Sequence, residues 1–101
     1  MVAYTLRWSE QSKADLRGIF EYIKNVESRE CAYYVVANIK KTANEIACFP
    51  SKHAQEPAIF NETIRYAIKW NYKILFTTNE KQVNIVRIFH TAQNPEKIIF
   101  S

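Results

Sequence analysis

The alternation of apolar and polar side chains divides much of the chain into predicted strands. In residues 2–8, VAYTLRW, every second side chain is large and apolar, which is the period of a half-buried strand. Residues 63–70 and 72–77 alternate in the same way, and 83–89 carries two apolar doublets that predict a bulge or burial on both faces. One strand therefore opens the chain, and three strands joined by short turns follow later.

Between the first strand and the other three, apolar residues recur at the spacing of amphipathic helices. The first stripe consists of Leu16, Ile19, Phe20 and Ile23. The second stripe consists of Ala32, Val35, Val36, Ile39, Ala43 and Ile46. We predict that Ser9 or Ser12 caps the first helix and Ser28 the second. Pro50 ends the second helix, because the residue before a proline avoids the α conformation.

The order β-α-α-β-β-β predicts an α+β fold, in which a helical hairpin packs on one face of an antiparallel sheet, as a single domain over residues 1–101. If the Tyr, Ile and Trp positions of the second and third strands meet the helices, Arg65, Lys69 and Lys73 share the open face. Arg7 joins them if the register allows. Such a face would need an anionic partner, or enough separation for salt to screen the charges.

Composition and charge narrow the class of protein. Apolar residues make up 48% of the 101 residues, enough for a core, and no apolar run approaches the roughly 20 residues of a membrane helix. The N-terminus has no signal-peptide pattern. On one helix, Cys31 and Cys48 lie too far apart for a disulfide, and neither belongs to a CxxC pair. We therefore expect a cytoplasmic protein without a metal site or cofactor.

The net charge of +4 is concentrated in the second half of the chain. Acidic and basic residues balance over 9–49, whereas 63–101 carries the excess of lysine and arginine. A one-sided basic surface suits nucleic acid or an acidic protein partner. The alternative is a surface that only keeps the protein solvated.

The stretch IVRIFHTAQNPEK places Arg87 and His90 together and raises the question of RNA cleavage. Metal-free cleavage needs a proton carrier and cations that hold the phosphate. The candidate catalytic residues are Arg65, Arg87 and His90, with Glu62 as a possible base. The candidate target- or phosphate-binding residues are Arg65, Lys69, Lys73 and Arg87.

Strand geometry argues against a catalytic pair of Arg87 and His90. Their spacing of three residues puts them on opposite faces of a regular strand, unless a bulge at Ile88-Phe89 intervenes. We therefore favour a His90 that ends the strand and hydrogen bonds to the backbone.

The segment WSEQSKADLRGIFEYI carries Ser9, Ala14, Asp15-Leu16, Ile19 and Tyr22-Ile23. This segment resembles the first helix of the RelE/ParE-type toxins of bacterial type II toxin–antitoxin systems. The resemblance continues with Ala32, the helix end at Pro50, Arg65, the strand NYKILF and the closing IVRIFHTAQNP. The resemblance covers nearly the full chain. The closing segment most resembles the ParE-like, plasmid-stabilisation side of the family.

The resemblance implies a cytoplasmic, growth-inhibiting toxin, neutralised by a cognate antitoxin in a hetero-oligomer. The antitoxin would add a strand at a sheet edge or lay an amphipathic helix along the hairpin. ParE-like members inhibit DNA gyrase without catalysis. The alternatives are a RelE-like, metal-independent endonuclease that cuts mRNA on the ribosome, and an inactive relic that only binds antitoxin.

Departures from the nuclease pattern favour the non-enzymatic role. Thr91 follows His90 where RelE-like nucleases often have tyrosine, and no tyrosine occurs after Tyr72. The predicted loop over 50–62 offers only Lys52 and His53 in place of a lysine cluster. We expect the apolar tail EKIIFS to pack on the core or against a partner.

Overall fold

The computed structural model describes residues 4–50, 54 and 64–92. The elements follow the predicted order: β1 (Thr5–Trp8), α1 (Glu10–Val26), α2 (Arg29–Cys48), β2 (Arg65–Lys69), β3 (Tyr72–Asn79) and β4 (Gln82–His90). They form the predicted α+β fold, and the described strands make one sheet of order β1-β4-β3-β2. β2, β3 and β4 are antiparallel as predicted, but β1 runs parallel to β4, so the sheet is mixed and not wholly antiparallel.

Both helices begin at serine caps. The Ser9 hydroxyl accepts the Ser12 amide at 3.0 Å, and the Ser28 hydroxyl accepts the Cys31 amide at 3.1 Å. Ser9 is therefore the cap of α1, and Ser12 lies fully buried in its first turns. The second helix stops at Cys48, just before Pro50, as predicted.

The main core lies between the helices and one face of the sheet. Tyr4, Leu6 and Trp8 pack against it from the first strand, as their alternation predicts. Its buried members are Leu16, Ile39, Ala43, Ile46, Ala67, Ile74, Phe76, Val83, Ile85 and Ile88.

The second strand presents the opposite face from the one predicted. Residues paired across neighbouring strands share a face, and Ala67 pairs with Ile74 in the main core. Arg65 and Lys69, two positions to either side of Ala67, therefore lie on the helix side. The prediction that they share an open face with Lys73 is wrong, because β2 turns its small Ala67 to the helices.

The face away from the helices carries a second buried cluster. Ile64, Leu75 and Phe89 form it, with Tyr66 and Val86 packed against them. On this face Lys73 pairs with Ile68, and its Nζ lies 4.4 Å from the centre of the Tyr66 ring. The far face is therefore partly apolar instead of an open basic surface.

A bulge interrupts β4 at Val86. Phe76 pairs with Ile85 but the next residue, Leu75, pairs with Arg87, which leaves Val86 as the extra residue. The first apolar doublet of this strand thus marks the bulge. The second doublet, Ile88-Phe89, keeps regular pairing and is buried on both faces.

Several predictions fall on residues outside the described ranges. These are the long loop with Lys52, His53 and Glu62, and the tail EKIIFS. Cys31 and Cys48 both lie on α2, as predicted, and both are free thiols. Among the described residues, no helix has the length and apolar content to cross a membrane.

Candidate functional site

Arg87, a candidate phosphate ligand, is engaged by Asp15 of α1. Its Nε lies 2.9 Å from Asp15 Oδ2, and its Nη2 lies 3.2 Å from Oδ1, so the guanidinium and the carboxylate bond in two places. Only 20% of the Arg87 side chain and 16% of the Asp15 side chain are exposed. Such a pair neutralises the arginine and fixes its orientation.

The ion pair belongs to a contact that closes the edge of β4. β1 accompanies β4 only as far as Ile85. Beyond that point the Ser9 hydroxyl donates to the carbonyl of Val86 at 2.8 Å, and the Asp15 carboxylate accepts the Ile88 amide at 2.9 Å. Side chains from the start of α1 thus satisfy backbone groups that β1 leaves without a strand partner.

His90 ends β4, as predicted, and its ring is exposed at the strand end. Its Nδ1 accepts the backbone amide of Ala92 at 3.1 Å, so the proton of the neutral imidazole resides on Nε2. The ring packs edge-on against Tyr72, with centroids 5.9 Å apart. The expected backbone hydrogen bond is thus present.

By strand register Arg87 and His90 point to opposite faces of β4, although the guanidinium of Arg87 reaches Asp15, which lines the same pocket as His90. Arg87 pairs with Leu75 of the far-face cluster, whereas His90 pairs with Tyr72, which packs on the main core. The bulge at Val86 precedes both residues and leaves the spacing between them regular. Arg65 lies on the helix side of an outer strand, two strands away from β4. Among the described residues, no three metal-ligating side chains come together either.

A groove of about 590 Å³ runs between the two helices and is a better candidate for binding. Its apolar walls come from Trp8, Leu16, Phe20, Tyr33 and Val36. Lys13 and Arg17 of α1 and Lys40 of α2 also line it, and no acidic residue of the described ranges does. An apolar groove with a cationic rim suits an amphipathic segment that carries negative charge.

The two helices that flank the groove run in opposite directions, as expected for a hairpin. The Phe20 and Tyr33 rings meet edge-on at 4.9 Å, with Tyr33 60% exposed. The family resemblance implied a partner helix along the hairpin, but no residue of this groove was among the predicted site residues, which lie on the later strands. Lys13 and Arg17, four residues apart beside the apolar stripe, were the signal that could have revealed it.

The Tyr72 phenol, whose ring packs against His90, has a raised pKa. Burial raises the pKa of the Tyr72 phenol above its ordinary value of 10.0, and the nearby Tyr22 raises that pKa further. The folded state therefore retains this proton at pH values where the unfolded state loses it.

We expect this phenol to make the folded protein less stable in strong alkali. Since the pKa is raised in the folded state, its stabilising effect is complete below the unfolded value near 10 and disappears as the pH rises through the folded value. The free energy of unfolding should fall more steeply above about pH 10 in the native protein than in Tyr72→Phe. Urea unfolding from pH 8.5 to 11 measures both slopes. If the free energy of unfolding falls equally with pH in the native protein and in Tyr72→Phe, the raised pKa of Tyr72 is contradicted.

The comparisons with known proteins agree with the fold. The family model described as "ParE toxin of type II toxin-antitoxin system, parDE" matches residues 6–95. No curated protein sequence matches the chain. The solved chromosomal ParDE system of P. aeruginosa is similar, with 21% identity, a TM-score of 0.75, and coverage of 87% of this chain and 96% of that chain.

The RelBE2 toxin–antitoxin complex of Mycobacterium tuberculosis is also similar. It has 20% identity and a TM-score of 0.66, and the match covers 92% of this chain and 97% of that chain. At such identities the two structures support the fold alone, whereas the family model spans most of the sequence. The chain belongs to the ParE toxin family of type II toxin–antitoxin systems.

Proposed function

We propose that this toxin acts by binding an essential protein, DNA gyrase, without catalysing a reaction, and that a cognate antitoxin neutralises it. The observation that carries the proposal is the Asp15–Arg87 ion pair. It commits to Asp15 the guanidinium that a nuclease would use on the phosphate together with His90 as the proton carrier. An RNA-cleaving site would need both groups at one phosphate.

A supercoiling assay with purified gyrase tests the target directly. We expect the native toxin to block supercoiling of relaxed plasmid and to leave a translated mRNA intact. His90→Ala should inhibit gyrase as strongly as the native protein, because a proton carrier has no part in a binding mechanism. Cleavage of the translated message that disappears in His90→Ala, with gyrase unaffected, would establish the endonuclease alternative instead.

The groove between α1 and α2 is the proposed seat of the antitoxin. Its apolar walls would receive one face of an amphipathic helix, and its three cations would meet acidic residues along the edge of that helix. The similar structures from P. aeruginosa and M. tuberculosis are toxin–antitoxin systems, which is consistent with a partner of this kind. The resulting complex would be a toxin–antitoxin hetero-oligomer.

Charge reversal at the groove tests this seat. We expect Lys40→Glu to weaken antitoxin binding about tenfold, equivalent to roughly 1.4 kcal/mol, and to reduce its dependence on salt. Lys41→Glu is the matched control, because Lys41 is the exposed neighbour on α2 and does not line the groove. Calorimetric titration at two salt concentrations measures both. Equal losses in the two variants would place the antitoxin elsewhere.

A further inference from the structure

A second cavity, of about 550 Å³, lies where α1 meets the ends of β3 and β4, and we call it the tyrosine cavity. Its volume falls within the range of sites that hold small ligands or single anchor side chains. Three rings and a glycine define its character. Gly18 and Tyr22 come from α1, Tyr72 from β3, and His90 from the end of β4.

Gly18 has no structural reason to be glycine. It is the single glycine of the chain and lies inside α1, where its φ is not positive. A Cβ built at Gly18 would meet nothing within 4 Å. A glycine in a helix costs about 1 kcal/mol relative to alanine, so the native sequence gives up stability at this wall of the cavity. Bare backbone allows a bound group to approach the helix more closely than any side chain would.

The charges of the cavity are balanced within the protein. Among the described residues, Asp15 is the one acidic residue of the lining, and its carboxylate is occupied by Arg87 and by the amide of Ile88. The described part of the chain contributes no lysine or arginine to the lining. A nucleotide would bring a phosphate into a site without a cation to receive it, whereas an uncharged group loses nothing there.

Burial raises the pKa of the Tyr72 phenol above its ordinary value of 10.0, so this wall group carries its proton at neutral pH. The Nδ1 atom of His90 accepts the amide of Ala92 at 3.1 Å. Phenols can donate or accept a hydrogen bond, and flat rings favour edge-on or offset packing with another ring.

We propose that the tyrosine cavity binds an uncharged aromatic side chain of the phenol type, presented by the protein that the toxin inhibits. This inference rests on the proposed function, in which the target is a protein. Tyrosine is among the residues that supply most of the binding energy at protein interfaces, where its ring fills a pocket and its hydroxyl finds a partner. The bare backbone at Gly18 would receive the edge of the ring.

Binding of N-acetyl-L-tyrosinamide tests the cavity independently of any target. We expect this probe to bind weakly, in the millimolar range, and to shift the NMR signals of the His90 ring and the Gly18 amide. Gly18→Leu should weaken binding at least tenfold by filling the cavity. Ala37→Leu, at an exposed position of α2 away from the cavity, is the matched control. Signals that shift elsewhere, or equal binding by Gly18→Leu, would overturn the proposal.

Melting curves distinguish a filled cavity from an unfolded protein. Gly18→Ala and Gly18→Leu should both melt higher than the native protein, by about 4 °C for alanine, because they remove a helical glycine into open space. A Gly18→Leu protein that melts higher than the native protein but no longer binds the tyrosine probe shows that the cavity is a binding site. If adenosine monophosphate binds in the cavity more tightly than the tyrosine probe, the occupant is a nucleotide and the proposal is wrong.

The gyrase assay separates this proposal from the proposed function. If the native protein inhibits gyrase and Gly18→Leu does not, the result supports both the proposed function and the cavity as a target contact. Inhibition that persists unchanged in Gly18→Leu refutes the cavity as a target contact and leaves gyrase as the target. Specific probe binding by a protein that does not inhibit gyrase supports the cavity and rejects gyrase.

Discussion

Replacing Asp15 with alanine lowers the free energy of unfolding by about 3–5 kcal/mol, which is the usual cost of removing one partner from a largely buried ion pair. The loss has two parts. Arg87 keeps its charge in a position where only 20% of its side chain is exposed, and the Ile88 amide loses its acceptor. For a domain of this size the loss is a large share of the total stability.

A double-mutant cycle separates the ion pair from the backbone hydrogen bond. Asp15→Asn removes the charge and retains an oxygen for Ile88, so it should cost less than Asp15→Ala. Arg87→Ala combined with Asp15→Ala should cost less than the sum of the single changes, because the stranded charge is absent. Urea unfolding followed by circular dichroism measures the native protein and the four variants. A loss below about 1 kcal/mol for Asp15→Ala would show that the pair behaves like an exposed one.

Replacing Ser9 with alanine should lower the free energy of unfolding by about 2–3 kcal/mol. The Ser9 hydroxyl accepts the Ser12 amide as the cap of α1 and donates to the carbonyl of Val86 at the bulge. One substitution therefore removes a helix cap and a contact between residues 77 positions apart.

Ser28 provides the matched comparison for Ser9. Its hydroxyl caps α2 through the Cys31 amide, in an exposed and local hydrogen bond. Ser28→Ala should cost about 1 kcal/mol, the ordinary value of a serine cap. The difference between the two variants measures the contact with the bulge. Equal losses would mean that the bond to Val86 contributes nothing to stability.

Local patterns predicted the elements of this fold well. The stripes of both helices, the caps at Ser9 and Ser28 and the end near Pro50 all follow from interactions within a few residues. Position along β4 also placed His90 correctly, because strand parity needs no knowledge of distant contacts. The family resemblance was carried by the order of such local features.

The errors arose where two distant segments decide the outcome. In β2 the more apolar set, Tyr66 and Ile68, faces away from the helices, because the register with β3 places Ala67 beside Ile74 in the main core. Asp15 lies outside the apolar stripe of α1, and nothing within α1 shows that its partner is Arg87, 72 positions later. The three residues of the predicted basic surface therefore lie on two faces of the sheet, with Arg65 and Lys69 on the helix side and Lys73 on the far face.

The pairing of β1 with β4 also determines when the toxin can become active during its synthesis. Thr5 pairs with Gln82 and Trp8 with Ile85, so the first strand has no partner until the last strand has left the ribosome. The hydrogen bonds of Ser9 with the Val86 carbonyl and of Asp15 with the Ile88 amide also require β4. A nascent or truncated chain that lacks β4 is therefore left with β1 unpaired and with an incomplete sheet.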